Sequence, residues 1–127
     1  MRNQPARRVA ILGGTRIPFC RSYTKYSSCS NLDMMSAVLR ALVNNFDLKG
    51  AKLDDVSLGA VIKHSRDWNF ARESVLSSGL AAETPAFDLQ RACGTSLSAT
   101  ILIASKISTG LMEVGIAGGS DTVSDIP

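Results

Sequence analysis

The chain changes its pattern within the stretch Phe87-Asp88-Leu89-Gln90-Arg91-Ala92-Cys93-Gly94-Thr95-Ser96-Leu97-Ser98-Ala99. A short strand-like run ends there, and an apolar, helix-like run starts at Cys93 itself. The unpaired amides and the dipole of a helix N-terminus stabilise negative charge, and the thiolate is the nucleophilic form of cysteine. Cys93 is therefore a candidate for covalent acyl chemistry. Most free cysteines are instead small buried hydrophobes, and the spacing alone leaves both interpretations open.

Outward from this stretch, strand-like and helix-like segments alternate along the chain. Short apolar runs bounded by turn residues predict four strands, over residues 8–13, 56–62, 86–89 and 112–118. Helical patterns lie between them, and no hairpin signal joins two neighbouring strands. This order predicts an α/β layered fold with a mainly parallel sheet.

Three helices are predicted between the strands. The first begins after Ser30 or Asn31, both good N-cap residues, and the second begins after Asn69 and ends near Gly79. The third runs from Thr95 to Thr109 and is apolar on nearly every side. Because such a helix belongs inside a protein, we expect it to be the most buried of the three.

Composition limits the class of protein. The 127 residues are 45% hydrophobic and 20% charged, which is typical of one soluble globular domain, and no apolar run has the ~18 residues of a membrane span. A net charge of +3 is too small and too dispersed for a nucleic-acid interface. The cysteines, Cys20, Cys29 and Cys93, are odd in number, lack C-x-x-C spacing and follow no secretory signal. They favour a reducing intracellular compartment, and nothing in their spacing indicates a metal site.

Four further motifs occur in a specific order along the chain. They are Thr15-Arg16-Ile17-Pro18-Phe19, Leu58-Gly59-Ala60-Val61, Asn69-x-Ala71-Arg72 and Ala117-Gly118-Gly119-Ser120-Asp121-Thr122-Val123-Ser124-Asp125-x-Pro127. With the Cys93 segment, their order and separations resemble the N-terminal part of a thiolase, an acetyl-CoA acetyltransferase or 3-ketoacyl-CoA thiolase, from Val9 to Pro127. The sequence around Cys93 is similar to the fatty-acid-oxidation thiolases that have Gln-x-Ala-Cys-Gly-Thr at the nucleophile.

The resemblance implies a function and its setting. It implies a thiolase-like fold in which residues 1–127 are a partial N-terminal domain, the incomplete first half of the fold. Cys93 would be the catalytic nucleophile that forms an acyl-thioester, its backbone N–H would be an oxyanion donor, and Gly94 would leave room for the acyl group. The implied substrates are acyl-CoA and coenzyme A, with no covalently bound cofactor. The implied setting is β-oxidation in the cytoplasm or an organelle matrix. The implied assembly of the full-length protein is a homodimer or homotetramer, with or without a β-oxidation partner subunit.

The sequence also departs from the common thiolase pattern. Many thiolases have Cys-x-Ser-Gly where this chain has Cys93-Gly94-Thr95-Ser96, a change that bears on the subfamily and substrate range more than on the chemistry. By resemblance, the catalytic histidine, the second cysteine and most CoA contacts belong to a part of the family fold that this sequence does not contain. We therefore expect residues 1–127 alone to be inactive.

Other residues are functional candidates, each with a structural alternative. His64, the only histidine, is a candidate base for a Cys93–His64 dyad, although a lone histidine at the end of a strand usually serves packing or solvation. Asp54 and Asp55 indicate a solvated turn. Four basic residues are candidate phosphate ligands, with ion pairing as the default: Arg16, Lys63, Arg66 and Arg72.

Two other interpretations stay open at this point. The first is another thiolase-fold condensing enzyme, similar to a ketosynthase. The second is a non-catalytic α/β module, either a truncated product or a subunit that works only with a partner. The thiolase-like motifs at Thr15–Pro18 and Gly118–Ser124 favour a thiolase over a ketosynthase. A dinucleotide-binding fold is disfavoured, because Gly13-Gly14 does not continue into the pattern G-x-G-x-x-G at the start of a helix.

Overall fold

A computed structural model describes residues 6–125, which contain three α-helices, one short 3₁₀ helix and three strands. The elements are α1 (Asn31–Asn45), β1 (Asp55–Leu58), the 3₁₀ helix (Ser65–Asp67), α2 (Phe70–Leu76), β2 (Ala86–Asp88), α3 (Thr95–Ser108) and β3 (Gly115–Ala117). No helix in this part of the chain is long and apolar enough to cross a membrane. The alternation confirms the predicted α/β class.

The sheet is parallel throughout and has the order β2-β1-β3. Its central strand β1 is buried along its whole length, because helices cover both of its faces. Val56 and Leu58 point toward α1 and α2, where they join the main hydrophobic core with Leu39 and Phe70. Successive strand residues alternate in direction, so Asp55 points the opposite way and forms an ion pair with Lys106 of α3.

Two helix starts follow directly from the sequence. Ser30 caps α1 in a reciprocal arrangement, in which its hydroxyl accepts from Asp33 N at 3.0 Å while the Asp33 carboxylate accepts from Ser30 N at 2.9 Å. The Asp33 carboxylate also accepts from the Ser30 hydroxyl at 2.8 Å. The bond from Ser30 N and, to a smaller extent, the bond from this hydroxyl lower the pKa of Asp33. Asn69 caps α2 by accepting from Arg72 N at 3.2 Å. Both predicted caps are confirmed.

The predicted first strand, over residues 8–13, is wrong for this chain. This segment is irregular and exposed, with Ile11 and Leu12 exposed by 84% and 79%. The physical reason is that a strand needs a hydrogen-bonded partner, and among the described residues the segment pairs with neither β2 nor β3, the outer strands of the sheet. The remaining strands occur where expected but are shorter than predicted, and they number three among the described residues.

The expectation that α3 is the most buried helix is also wrong. Only Thr95, Ala99 and Ile103 of α3 are buried, whereas Leu97 and Ile101 are 65% and 58% exposed. By contrast, four of the seven residues of α2 are buried. The helix also begins at Thr95, with Gly94 as its N-cap, so Cys93 lies one residue before the cap rather than in the first turn.

Candidate active site

The three strands end at the same edge of the sheet, and the loops that follow them converge there. The loop after β2 is joined to β1 by a bond from Leu89 N to Leu58 O of 2.9 Å. The loop after β3 is joined to it by bonds from Gly118 N to Ser57 O and from Ser120 N to Gly59 O, both of 3.0 Å. In parallel α/β sheets this carboxyl edge is the usual place for a ligand.

Cys93 lies at this edge, in the turn between β2 and α3. It is exposed, whereas Cys20 and Cys29 are half-buried, and all three are free thiols. The turn is closed by a bond from Gly94 N to Arg91 O of 2.9 Å, and Ala92 within it has a φ of +41°. A positive φ is uncommon for a residue with a side chain, so the turn that carries Cys93 is under backbone strain.

Two glycines let the loops approach the turn closely. A methyl group on Gly59 would overlap the carbonyl oxygen of Leu89 and would lie 2.5 Å from Thr95 Cγ2. A methyl group on Gly119 would lie 2.9 Å from Gly59 O and 3.4 Å from Ser96 Cβ. The end of β1 is thus packed between the Cys93 turn and the loop after β3, with no space for a side chain.

Two carboxylates hold the loops at this edge. Asp88, the last residue of β2, accepts from Ala71 N at 2.7 Å and Phe70 N at 3.2 Å, and forms an ion pair of 2.6 Å with Lys63. Asp121 accepts from the backbone amides of residues 61 and 62, at 2.8 and 3.2 Å. Asp88 therefore fixes the start of α2, and Asp121 joins the loop after β3 to the loop after β1.

The acidic candidates have structural partners, and the histidine lies near a carboxylate without a hydrogen bond at Nε2 among the described residues. His64 Nε2 is buried and lies 3.5 Å from Asp125 Oδ2, and no hydrogen bond joins His64 to Cys93 within residues 6–125. Asp54 is exposed and accepts from two backbone amides, those of residues 113 and 114, which lower the pKa of Asp54. The prediction of a solvated turn is wrong for Asp55, which is buried in β1 and paired with Lys106.

The basic candidates are mostly committed to contacts within the chain. Lys63 pairs with Asp88, and Arg66 pairs with Asp125. Arg72 donates to the carbonyls of residues 84 and 82, at 2.8 and 2.7 Å. Arg16 is exposed and lines a cavity of about 670 Å³ next to the carboxyl edge. Of the four, only Arg16 is placed at a cavity without an ion-pair partner among the described residues.

Cys20 lies in the wall of the same cavity together with Tyr26. Burial raises the pKa of the Tyr26 hydroxyl, and its hydrogen bond with the Cys20 thiol and the nearby Cys29 raise it further. Both cysteines belong to the loop before α1. Within the described range, no group of three or more His, Cys, Asp or Glu residues could hold a metal ion.

Thr95 and Asp88 are parts of this site that the sequence analysis did not single out. Asp88 stands one residue before the predicted end of a strand, and a turn follows. That position favours a carboxylate that accepts hydrogen bonds from backbone amides. Thr95 has no comparable signal, because a threonine at a helix start is usually a simple cap. Its contacts depend on the folded path of residues 91–95.

These features define an α/β protein whose candidate functional groups gather at the carboxyl edge of a parallel sheet. The chain belongs to the thiolase family, since the family model described as "Thiolase, N-terminal domain" matches residues 9–127. Pro127, the end of the last quoted motif, lies outside the described residues.

Individual relatives agree with this assignment. The chain is 38% identical over 125 residues to a 3-ketoacyl-CoA thiolase of Shewanella piezotolerans and 38% identical over 124 residues to one of Photorhabdus laumondii. Each match covers 98% of this chain, but only 29% and 28% of those proteins. The crystal structure of the Bacillus anthracis acetyl-CoA acetyltransferase matches 81% of this chain and 26% of its own chain, with 26% identity and a TM-score of 0.75. The predicted partial thiolase fold is confirmed, and the chain spans less than a third of the length of these relatives.

Proposed function

We propose that residues 1–127 are part of the N-terminal domain of a thiolase-type acyltransferase and that Cys93 is its acyl acceptor. The observation that carries the proposal is the position of Cys93. It is an exposed thiol in a strained turn directly before α3, at the carboxyl edge of the sheet. The relatives named 3-ketoacyl-CoA thiolase support the choice of reaction.

In this reaction the Cys93 thiolate attacks the keto carbon of a 3-ketoacyl-CoA. The bond between the second and third acyl carbons breaks, its electron pair leaves with the acetyl-CoA enolate, and the remaining acyl group stays on sulfur as a thioester. Free coenzyme A then takes the acyl group from Cys93, so the kinetics are ping-pong. The Cys93 N–H is a candidate oxyanion donor, a kind of group whose loss costs about 2.7–4 kcal/mol in other enzymes. Condensation of two acetyl-CoA molecules is the same sequence in reverse.

The proposed setting follows from the family. The substrates are acyl-CoA and coenzyme A, and no covalently bound cofactor is required. We place the reaction in fatty-acid β-oxidation, in the cytoplasm or an organelle matrix, and expect a dimer or tetramer for a chain of the relatives' length. The proton donor for the enolate and the general base belong, by the thiolase resemblance, to residues that this sequence does not contain.

Two other functions give different outcomes in one experiment. Purified chain would be mixed with acetoacetyl-CoA, quenched in acid and measured by intact-protein mass spectrometry, with Cys93→Ser as the control. An added acetyl group on Cys93 of the wild-type chain alone supports the proposal. A ketosynthase-like enzyme would be acylated from an acyl-carrier thioester in preference to the CoA thioester.

If neither the CoA thioester nor the acyl-carrier thioester acylates the chain, the result supports the non-catalytic module. In that case a chain of the relatives' length decides the question, because it supplies the residues that the resemblance assigns to the rest of the fold. If that longer protein forms an acyl-enzyme at Cys93, the short chain is simply an incomplete catalyst. If it is acylated at another residue or at none, the proposed role of Cys93 is wrong.

A further inference from the structure

The turn that carries Cys93 is held by one side chain, that of Thr95. Its hydroxyl accepts a hydrogen bond from Arg91 N at 2.8 Å and donates one to Ala92 O at 2.8 Å. One oxygen atom therefore binds both residues that precede Cys93, from a position two residues after it. Thr95 is buried, so these bonds do not compete with solvent.

These two bonds act on the strained part of the chain. Ala92 has a φ of +41°, and a residue with a side chain keeps such a conformation only where its surroundings fix it. The other bonds that close the turn are Gly94 N to Arg91 O, at 2.9 Å, and the long bond of 3.3 Å from Thr95 N to Ala92 O. Within the described residues, the Thr95 hydroxyl is the side-chain group that hydrogen-bonds to the backbone of this turn on both sides of the Ala92 Cα atom, at Arg91 N and at Ala92 O.

The methyl group of Thr95 has a separate role. It packs against Gly59 at the end of β1, where an added methyl group would lie only 2.5 Å from Thr95 Cγ2. Thr95 thus connects three parts of the site: the Cys93 turn through its hydroxyl, the central strand through its methyl group, and α3 through its backbone. Serine keeps the hydroxyl and valine keeps the shape, so the two roles are separable by substitution.

We propose that Thr95 is a positioning residue for Cys93: its hydroxyl holds the strained turn over Arg91 and Ala92 that presents the thiol at the start of α3. This inference rests on the proposed function insofar as Cys93 is the acyl acceptor. Thr95 itself touches no reacting atom. Its effect is to fix the backbone that precedes α3, and with it the position at which the exposed Cys93 thiol is presented.

The test compares the alkylation rate of each cysteine in the whole chain. Wild type, Thr95→Val, Thr95→Ser and Thr100→Val would react with iodoacetamide between pH 6 and pH 9, and the labelled peptides would be quantified by mass spectrometry. Thr100→Val is the matched control, because the Thr100 hydroxyl donates only to Ser96 O within the same helix, at 2.9 Å. Cys20 and Cys29 are internal controls for the integrity of the fold.

We expect wild-type Cys93 to be the fastest of the three thiols. Thr95→Val should slow it by between about twofold and tenfold at pH 7, the range that corresponds to the loss of one buried hydrogen bond. The alkylation rate of Cys93 should move toward those of Cys20 and Cys29, while Thr95→Ser and Thr100→Val keep the wild-type rate.

The opposite results overturn the proposal. They are an unchanged Cys93 alkylation rate in folded Thr95→Val, an equal loss in Thr100→Val, or a wild-type Cys93 no faster than the loop thiols. If Thr95→Val does not fold, Thr95→Ser decides: loss of Cys93 reactivity with the hydroxyl still present would contradict the role of that hydroxyl. Alkylation needs no acyl-CoA, so failure of a chain of the relatives' length to form an acyl-enzyme at Cys93 would refute the proposed function while leaving this result standing.

Discussion

Replacement of Gly59 by alanine should disturb the Cys93 turn from the opposite side. The new methyl group would overlap Leu89 O, and it would lie 2.5 Å from Thr95 Cγ2 and 3.0 Å from Leu89 C. Ordinary contacts between carbon atoms are about 3.5–4.0 Å, so the turn and the end of β1 must separate by about 1 Å. Two of these three atoms belong to the backbone, so a side-chain rotation cannot relieve the clash.

The cost of this substitution has two measurable parts. Overpacking of a tight site typically costs 1–3 kcal/mol, and we expect about 2 kcal/mol here because the bond from Leu89 N to Leu58 O is stretched as well. For a chain of this size, that corresponds to a fall in Tm of about 8 °C. A displacement of about 1 Å at a reacting group lowers the rate of an oriented reaction by about 10²-fold, so acylation of Cys93 should fall further than stability does.

The assay is thermal unfolding followed by circular dichroism, together with acylation of Cys93 at a temperature where the variant is folded. Gly14→Ala is the matched control, because an added methyl group at Gly14 meets nothing within 4 Å and Gly14 has no positive φ. Equal Tm values for the two variants would refute the close packing of β1 against the Cys93 turn. A lowered Tm with unchanged acylation would show that the turn moves without affecting the thiol.

Three further predictions concern other parts of the chain. Iodoacetamide at neutral pH should label exposed Cys93 well before half-buried Cys20 and Cys29, and peptide mapping that finds equal labelling would contradict this. The pKa of Asp54 is lowered from 3.8 in the folded chain, so its contribution to stability is complete above about pH 5 and is lost as the pH falls through and below 3.8. Urea unfolding at pH 3 and pH 6 should therefore show a smaller acid loss for Asp54→Asn than for wild type or for the control Asp47→Asn. The chain should show no turnover of acetoacetyl-CoA with coenzyme A above a Cys93→Ala background, because each missing acid–base group costs ~10²–10⁴ in rate.

Local signals in the sequence were sufficient for the helices and their caps. Ser30 and Asn69 were identified because the side-chain oxygen of a cap and the amides it receives lie within three residues of each other. The edge of the sheet at which Cys93 lies was also predictable, since parallel strands with helical crossovers end on one side. What these features share is that neighbouring residues determine them.

Features that depend on distant residues were not predictable from pattern. The ion pair between Asp55 and Lys106 joins residues 51 positions apart, and the sequence gives no reason to choose Lys106 over another lysine. The same holds for residues 8–13. An apolar run becomes a strand only if it pairs with another strand, and among the described residues this segment pairs with neither outer strand of the sheet. The hydrophobic pattern shows that a segment is suited to a buried strand, whereas pairing with another strand decides whether the segment forms one.

Helix α3 shows the same distinction in its side chains. Its sequence is apolar on nearly every side, yet Leu97 and Ile101 are exposed, and only the stripe with Ala99 and Ile103 contacts the sheet. The prediction that α3 is the most buried of the three helices took its apolar pattern as a sign of neighbours on nearly every side. The relatives are more than three times as long as the part of them that this chain matches. Helix α3 therefore has fewer possible neighbours within residues 1–127 than in a chain of the relatives' length. The bonds that fix the Cys93 turn, in contrast, all lie between residues 91 and 95 and require no further chain. Cys93 reactivity and catalytic turnover should therefore separate in this chain, the first being set locally and the second not.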